Sequence, residues 1–291
     1  MPTAFVIPLS RTLAGSLCLS DGALTPVDMA LWLGTMADAL ILVDEPDAEG
    51  VTLRDAWRTA ADDAAPLYMA GRTLLEATGL RTHGALVRPF ERLAAARLSL
   101  GLDGDTYSPW HGWEADPIGR DNPVDRGVVS GMLLTMGMIH DTRYPVSVNL
   151  SAMARFRSRV SPFLYLRALA WLAGAGTPKA WRRSPPGDRV TVTVPMGELH
   201  RAIGVAGGAM VGDWVGAFGP GGRGGPVHAD LVTAGIRLET AWRMGAAGYG
   251  TRQVPTGLRI TVARIAGAER RPLPRRPRQS SSSSASAVSR P

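Results

Sequence analysis

Apolar residues along this chain recur with two periods, about 3.6 and 2, and the changes between them outline its elements. Thr25-Pro26-Val27-Asp28 opens the first clear helix: a threonine that can cap, proline at the first helical position, and a carboxylate three residues on. Met29, Leu33, Met36 and Leu40 follow at i, i+4, i+7 and i+11, which predicts a helix to about Leu42. Acidic Asp44–Gly50 ends it, and Val51–Ala61 and Leu67–Thr78 read as two more helices, the second stopped by Gly79. Within Arg81–Leu100, Leu86, Phe90 and Leu93 share a helical face, with Arg88, Arg92 and Ala95 opposite. Pro89 means that this helix either starts near Arg88 or kinks there. Ala96–Leu102 and Gly127–Ile139 read as strands that could pair across a polar loop, and Tyr144–Leu150 as a short strand. Residues 1–24 read as an arm with little pattern.

In the second half, Ser151 reads as the cap of a helix Ala152–Val160, a connector made basic by Arg155, Arg157 and Arg159. Ser161-Pro162 starts a helix over Phe163–Ala173. Val190–Val194 alternates as a strand should, and Met196–Ile203 is a short helix closed by Gly204. Ala206–Pro226 is glycine-rich and reads as a mobile loop. Next comes a long amphipathic helix, His228–Met244, with Leu231, Ala234, Leu238, Ala241 and Trp242 on one face. Thr233, Arg237, Thr240 and Arg243 occupy the other. Tyr249–Val254 and Leu258–Ile265 would form a hairpin around Pro255-Thr256-Gly257, flanked by Arg252 and Arg259.

Helices followed by a hairpin therefore occur twice. The expected fold class is α+β: two tandem winged-helix (helix-turn-helix) domains with a disordered basic C-terminal tail. The expected divisions are an arm at 1–24, a first winged helix at 25–150, a second at 151–267, and a tail at 268–291. That tail, rich in Arg, Pro and Ser, cannot bury a core.

Charge sharpens the picture. The chain has 291 residues and a net charge of +7, unevenly spread. Residues 1–140 hold 10 arginines against 18 acidic residues, a net of −8. Residues 141–268 hold 15 arginines and Lys179 against 6 acids, a net of +10, and the tail adds +5 from 6 arginines and Glu269. An acidic first half and a basic second half point to a polyanionic partner for the latter, with nucleic acid first in line. Arginine in place of lysine can reflect genome composition, but that does not remove acids from the second half.

Other chemistries lack support. Cys18 is the sole cysteine, which rules out an internal disulfide framework or a cysteine-rich zinc finger and fits a cytoplasmic location. The five histidines are dispersed, so no metal site is expected. Gly219–Gly225 lacks the Lys-Ser/Thr of a phosphate-cradling loop, and no nucleophile sits in a motif. No cofactor, enzymatic activity or membrane segment is expected.

The chemistry-bearing residues are instead arginines and threonines. On the His228–Met244 helix, Thr233, Arg237, Thr240 and Arg243 would face DNA, since guanidinium forks suit guanine edges and phosphates. Arg252 and Arg259 would serve a wing, and Arg81, Arg88 and Arg92 a reading face in the first unit. For each the plain alternative is a solvated surface arginine.

Certain local patterns resemble a known family. In the first unit these are Leu74-Leu75-Glu76-Ala77-Thr78-Gly79, then Ala85-Leu86 through Phe90-Glu91-Arg92-Leu93. At the junction they are Tyr144–Leu150 and the helix Ser161–Trp171, and beyond it Val192–Val205. Together they resemble plasmid replication initiators built from two tandem winged helices, over about residues 25–265. The resemblance implies binding to double-stranded DNA at repeated origin sites, opening of the adjacent duplex, recruitment of host replication proteins, and exchange between homodimers and monomers. A transcriptional regulator with an N-terminal dimerisation or effector domain and one C-terminal winged helix stays open beside it. So does an adaptor for an acidic protein.

Overall fold

The computed structural model describes residues 5–42, 50, 52, 64–101, 105–114, 124–130, 133, 145–176, 181, 187–205, 211–246 and 253–265. In chain order the first half comprises β1 (Val6–Leu9), α1 (Arg11–Ser16), β2 (Leu17–Asp21), α2 (Pro26–Leu42), β3 (Ala64–Ala70), α3 (Gly71–Thr78), a 3-10 turn His83–Leu86 and α4 (Val87–Ala95). It continues through β4 (Arg97–Leu100), β5 (Thr106–Tyr107), β6 (Gly112–Glu114), β7 (Val124–Ser130) and β8 (Val146–Asn149). The second half comprises α5 (Leu150–Met153), α6 (Ser161–Leu172), β9 (Arg189–Pro195), a 3-10 turn Met196–Glu198, α7 (Leu199–Ile203), α8 (Val211–Phe218), α9 (Pro226–Thr233), β10 (Ile236–Ala246) and β11 (Gln253–Arg264). The fold class is α+β, as expected.

α6 lies at the centre, with all twelve of its residues buried. α2 is likewise buried around Met29, Leu31, Trp32, Leu33 and Met36 rather than along one stripe. The local signals that opened α2 hold: the Asp28 carboxylate accepts from the Thr25 N–H at 2.7 Å, and the Thr25 hydroxyl accepts from the Asp28 N–H at 3.3 Å. α4 begins at Val87, so Pro89 sits in its first turn, where no helical hydrogen bond is lost. Leu86, Phe90 and Leu93 are buried as one face, and Phe90 stacks on Trp110 at 4.3 Å between centroids.

Strand partners differ from the expectation. β4 pairs with β2 and β5, while β7 pairs with β3 and β6, so among the described residues Arg97–Leu100 does not pair with Gly127–Ser130; the rest of the expected strand Gly127–Ile139, apart from Leu133, lies outside them. An apolar run announces a strand without naming its neighbour. The helix expected over Leu67–Thr78 starts at Gly71, because Ala64–Ala70 is drawn into a sheet with β7. The helix expected at Val51–Ala61 lies outside the described residues, apart from Thr52. The stretch read as a patternless arm is structured from Val6 onward. β1 pairs with β8, β2 pairs with β4, and Ile7, Leu9, Leu13 and Leu17 are core residues. Ser151 does not cap a helix to Val160; Asn149 caps the four-residue α5, and the Ser151 hydroxyl accepts from the Phe5 N–H.

β2 also joins the two halves. The Leu19 N–H donates to the Gly204 carbonyl at 2.8 Å. Beside it the buried Arg167 donates through Nη2 to the Leu17 carbonyl at 3.0 Å and contacts Cys18 Sγ at 3.2 Å. Gly204 has a positive φ of 88°, and a Cβ there would meet the Leu17 oxygen at 2.6 Å, so this close approach requires glycine.

The largest correction concerns His228–Met244. It is not one helix: α9 ends at Thr233, Gly235 turns at a φ of 80°, and Ile236–Ala246 is strand β10. Its residues satisfy both periods, and pairing with β11 decides for period two. β11 is likewise one continuous strand through Pro255-Thr256-Gly257, so the expected hairpin over 249–265 is replaced by β10–β11. The glycine-rich stretch, within its described residues 211–226, holds α8 and a tight turn rather than an open loop.

Candidate nucleic-acid interface

β10, β11 and β9 form an antiparallel sheet in the order β10-β11-β9. Alternation sends Leu238, Leu258, Ile260, Val262, Val190, Val192 and Val194 inward. The register aligns Arg237 with Ala263, Glu239 with Thr261, Ala241 with Arg259, and Arg243 with Gly257. On the far side, Arg259 aligns with Thr193, Thr261 with Thr191, and Ala263 with Arg189. One outer face therefore carries Arg189, Arg237, Arg243 and Arg259 among threonines, with Glu239 as its acid. Arg189 and Glu239 pair at 3.0 Å, with both side chains more than half exposed, so the pair contributes little to stability. Arg189, Arg223, Arg259 and Glu239 line a cavity of about 640 Å³ at this face.

The turn before α9 and the first turn of α9 are fastened beneath the sheet. Trp242 Nε1 donates to the Gly219 carbonyl at 3.1 Å, and the Thr240 hydroxyl donates to the Gly222 carbonyl. His228 Nε2 lies 2.9 Å from the Thr240 hydroxyl oxygen, and burial holds the His228 pKa below its usual value. On the other side of α9, the buried Asp230 accepts from the N–H groups of Arg157 and Ser158 at 3.0 Å, and from the Ser161 hydroxyl at 2.6 Å. A carboxylate in a helix therefore caps the approach to α6, which binds α9 to the Arg155, Arg157 and Arg159 connector.

The expected site residues are dispersed. Arg237, Arg243 and Arg259 come together on the sheet face, all exposed. Thr240 is on the opposite side of β10 and buried, its hydroxyl committed to Gly222. Thr233 is exposed at the end of α9, and Arg252 lies outside the described residues. Arg81 and Arg88 are exposed, the latter on α4. Arg92 is engaged with Asp28, through Nε at 2.8 Å and Nη2 at 2.7 Å. Arg189 and Arg223 were not singled out from sequence. The alternation of Arg189-Val190-Thr191-Val192 carried a signal for the former; nothing local did for the latter.

These elements define an α+β chain in which a helix runs into an antiparallel hairpin twice, α4 into β4–β5 and α9 into β10–β11. Among solved structures, the chain is similar to a Pi initiator protein crystallised in complex with iteron DNA. The TM-score is 0.50 at 12% sequence identity, over 90% of this chain and 98% of that one, so the likeness is one of fold. No protein-family model matches the chain, and no curated protein matches it in sequence. Among the described residues no helix is long and apolar enough to cross a membrane.

Proposed function

We propose that this chain binds double-stranded DNA sequence-specifically and acts as a plasmid replication initiator at repeated origin sites. In this reading each half forms a winged helix. The first comprises α2, α3 and α4 with the β4–β5 hairpin, and the second comprises α6 to α9 with the β9, β10 and β11 sheet. The carrying observation is that α9 runs directly into a hairpin whose outer face displays Arg237, Arg243 and Arg259, within the basic half. The fold likeness supports an initiator over a single-reader regulator because it extends across both halves. Homodimers and host replication proteins are the further partners in this proposal, and no enzymatic activity is assigned to the chain.

The test is a binding assay with duplexes carrying the direct repeats beside the gene, repeated across salt. A protein engaging about six phosphates loses a factor of about 10³ in affinity between ~50 and ~200 mM salt. A footprint of about two helical turns per site is expected of two reading modules, against one for a regulator with one winged helix. A salt-insensitive complex, or no duplex binding, sinks the proposal.

A further inference from the structure

α9 has no arginine or lysine: it reads Pro226-Val227-His228-Ala229-Asp230-Leu231-Val232-Thr233. Val227, Asp230 and Leu231 are buried. At about 3.6 residues per turn, Pro226, Ala229, Val232 and Thr233 share one arc, and all four are exposed. Val232 is 51% exposed, one of four large apolar side chains so displayed among the described residues. The Thr233 hydroxyl donates to the Asp230 carbonyl at 2.6 Å, so it is committed to its own helix. What α9 offers outward is therefore apolar.

Cations lie along both margins of this arc. Asp230, at one edge, holds the backbone of Arg157 and Ser158, which sets the exposed Arg155, Arg157 and Arg159 beside the helix. At the other edge His228 ties the helix to β10, and the turn entering α9 carries the exposed Arg223. An apolar strip between two cationic margins matches a major groove, whose floor carries thymine methyl groups and whose walls are phosphates. A purely apolar protein partner would leave those margins unmatched.

We infer that α9 lies in a major groove and reads thymine C5-methyl groups through Val232 and Ala229, with Arg155, Arg157, Arg159 and Arg223 on the flanking phosphates. The inference rests on the duplex-binding reading above. It departs from a guanine-reading helix, since bidentate guanine contacts need an arginine or lysine that this face lacks.

The experiment takes a duplex recovered from a randomised pool by the full-length chain and remakes it with deoxyuridine for one thymidine at a time, removing only the methyl. The wild-type chain is expected to lose roughly fourfold in affinity at one or two positions, the worth of one methyl-sized apolar contact. Val232→Ala should lose a similar factor on the thymine duplex and nothing further on the deoxyuridine duplex. Its unfolding midpoint should match wild type, because the side chain is exposed. Tight duplex binding insensitive to deoxyuridine at every position overturns the inference and leaves the duplex-binding reading standing. A Val232→Ala loss of equal size on both duplexes also overturns it. Recovery of no duplex overturns both.

Discussion

Arg92 closes on Asp28 across 64 positions of chain, with Nε donating to Oδ2 at 2.8 Å and Nη2 to Oδ1 at 2.7 Å. The Asp28 side chain is fully buried and that of Arg92 is 38% exposed. The same carboxylate caps α2 through the Thr25 N–H. One aspartate therefore starts a helix and locks α4 against it. Arg92→Ala leaves that buried charge without its cation and is expected to destabilise the protein by about 2 kcal/mol, below the usual range because Arg92 is partly solvated. Chemical denaturation measures this. If Arg92 instead serves DNA, the substitution flattens the salt dependence of binding and spares the unfolding midpoint.

Asp230 performs the matching task in the second half, accepting from Arg157, Ser158 and Ser161. Asp230→Ala strands two N–H groups and a hydroxyl, and is expected to cost about 2–4 kcal/mol. Asp230→Asn, which keeps one acceptor oxygen, should cost less. Equal midpoints for Asp230→Ala and wild type would show that solvent replaces the carboxylate.

Arg237, Arg243 and Arg259 share the outer sheet face, so their removal should weaken duplex binding alike for different sequences. Removing one arginine from a phosphate lowers the slope of log affinity against log salt by about 1. Measured slopes for Arg243→Ala and Arg259→Ala that equal the wild-type slope exclude this face from the DNA interface.

His228 links α9 to β10 through Thr240 and is held below its usual pKa by burial. The folded state thus binds its proton less readily than the unfolded chain. The resulting stability is present above the unfolded value of about 6.5 and is lost as pH falls through the lower folded value. The contact of Nδ1 with the Gly225 carbonyl works against this shift without reversing it. Denaturation midpoints at pH 7 and pH 5 should diverge more for wild type than for His228→Gln.

Gly219 adopts a positive φ of 88°, and a Cβ there would collide with the Arg223 carbonyl oxygen. Gly219→Ala is expected to loosen the turn that receives Trp242 Nε1, lowering the thermal midpoint by several degrees, as about 1 kcal/mol does in a domain of this size. Tryptophan fluorescence reports the same change. An unaltered midpoint would show that the turn is not required for β10 to pack.

Legibility in the sequence followed the range of the forces involved. The start of α2 could be read from Thr25-Pro26-Asp28 because a capping box is complete within four residues. α6, β9, and α7 closed by Gly204 were legible from equally local signals, whereas Pro89 left a helix start near Arg88 and a kink both open, and the structure decides for a start at Val87. The arginines Arg237, Arg243 and Arg259 were found by type and spacing, but their common surface was misassigned to a helix and a wing.

By itself, then, the sequence determined the α+β class, the positions of its strongly capped elements, and the division into an acidic first half and a basic second half. These follow from backbone capping, side-chain period and summed charge, which depend on neighbours along the chain. Tertiary structure alone decided the rest. It made Ile236–Ala246 a strand by supplying β11 as a partner, brought Val6–Leu9 to β8, and turned Arg92 inward to Asp28. It also left α9 with an apolar outer face between arginines, because burying Val227 and Leu231 against the core orients every other residue of that helix.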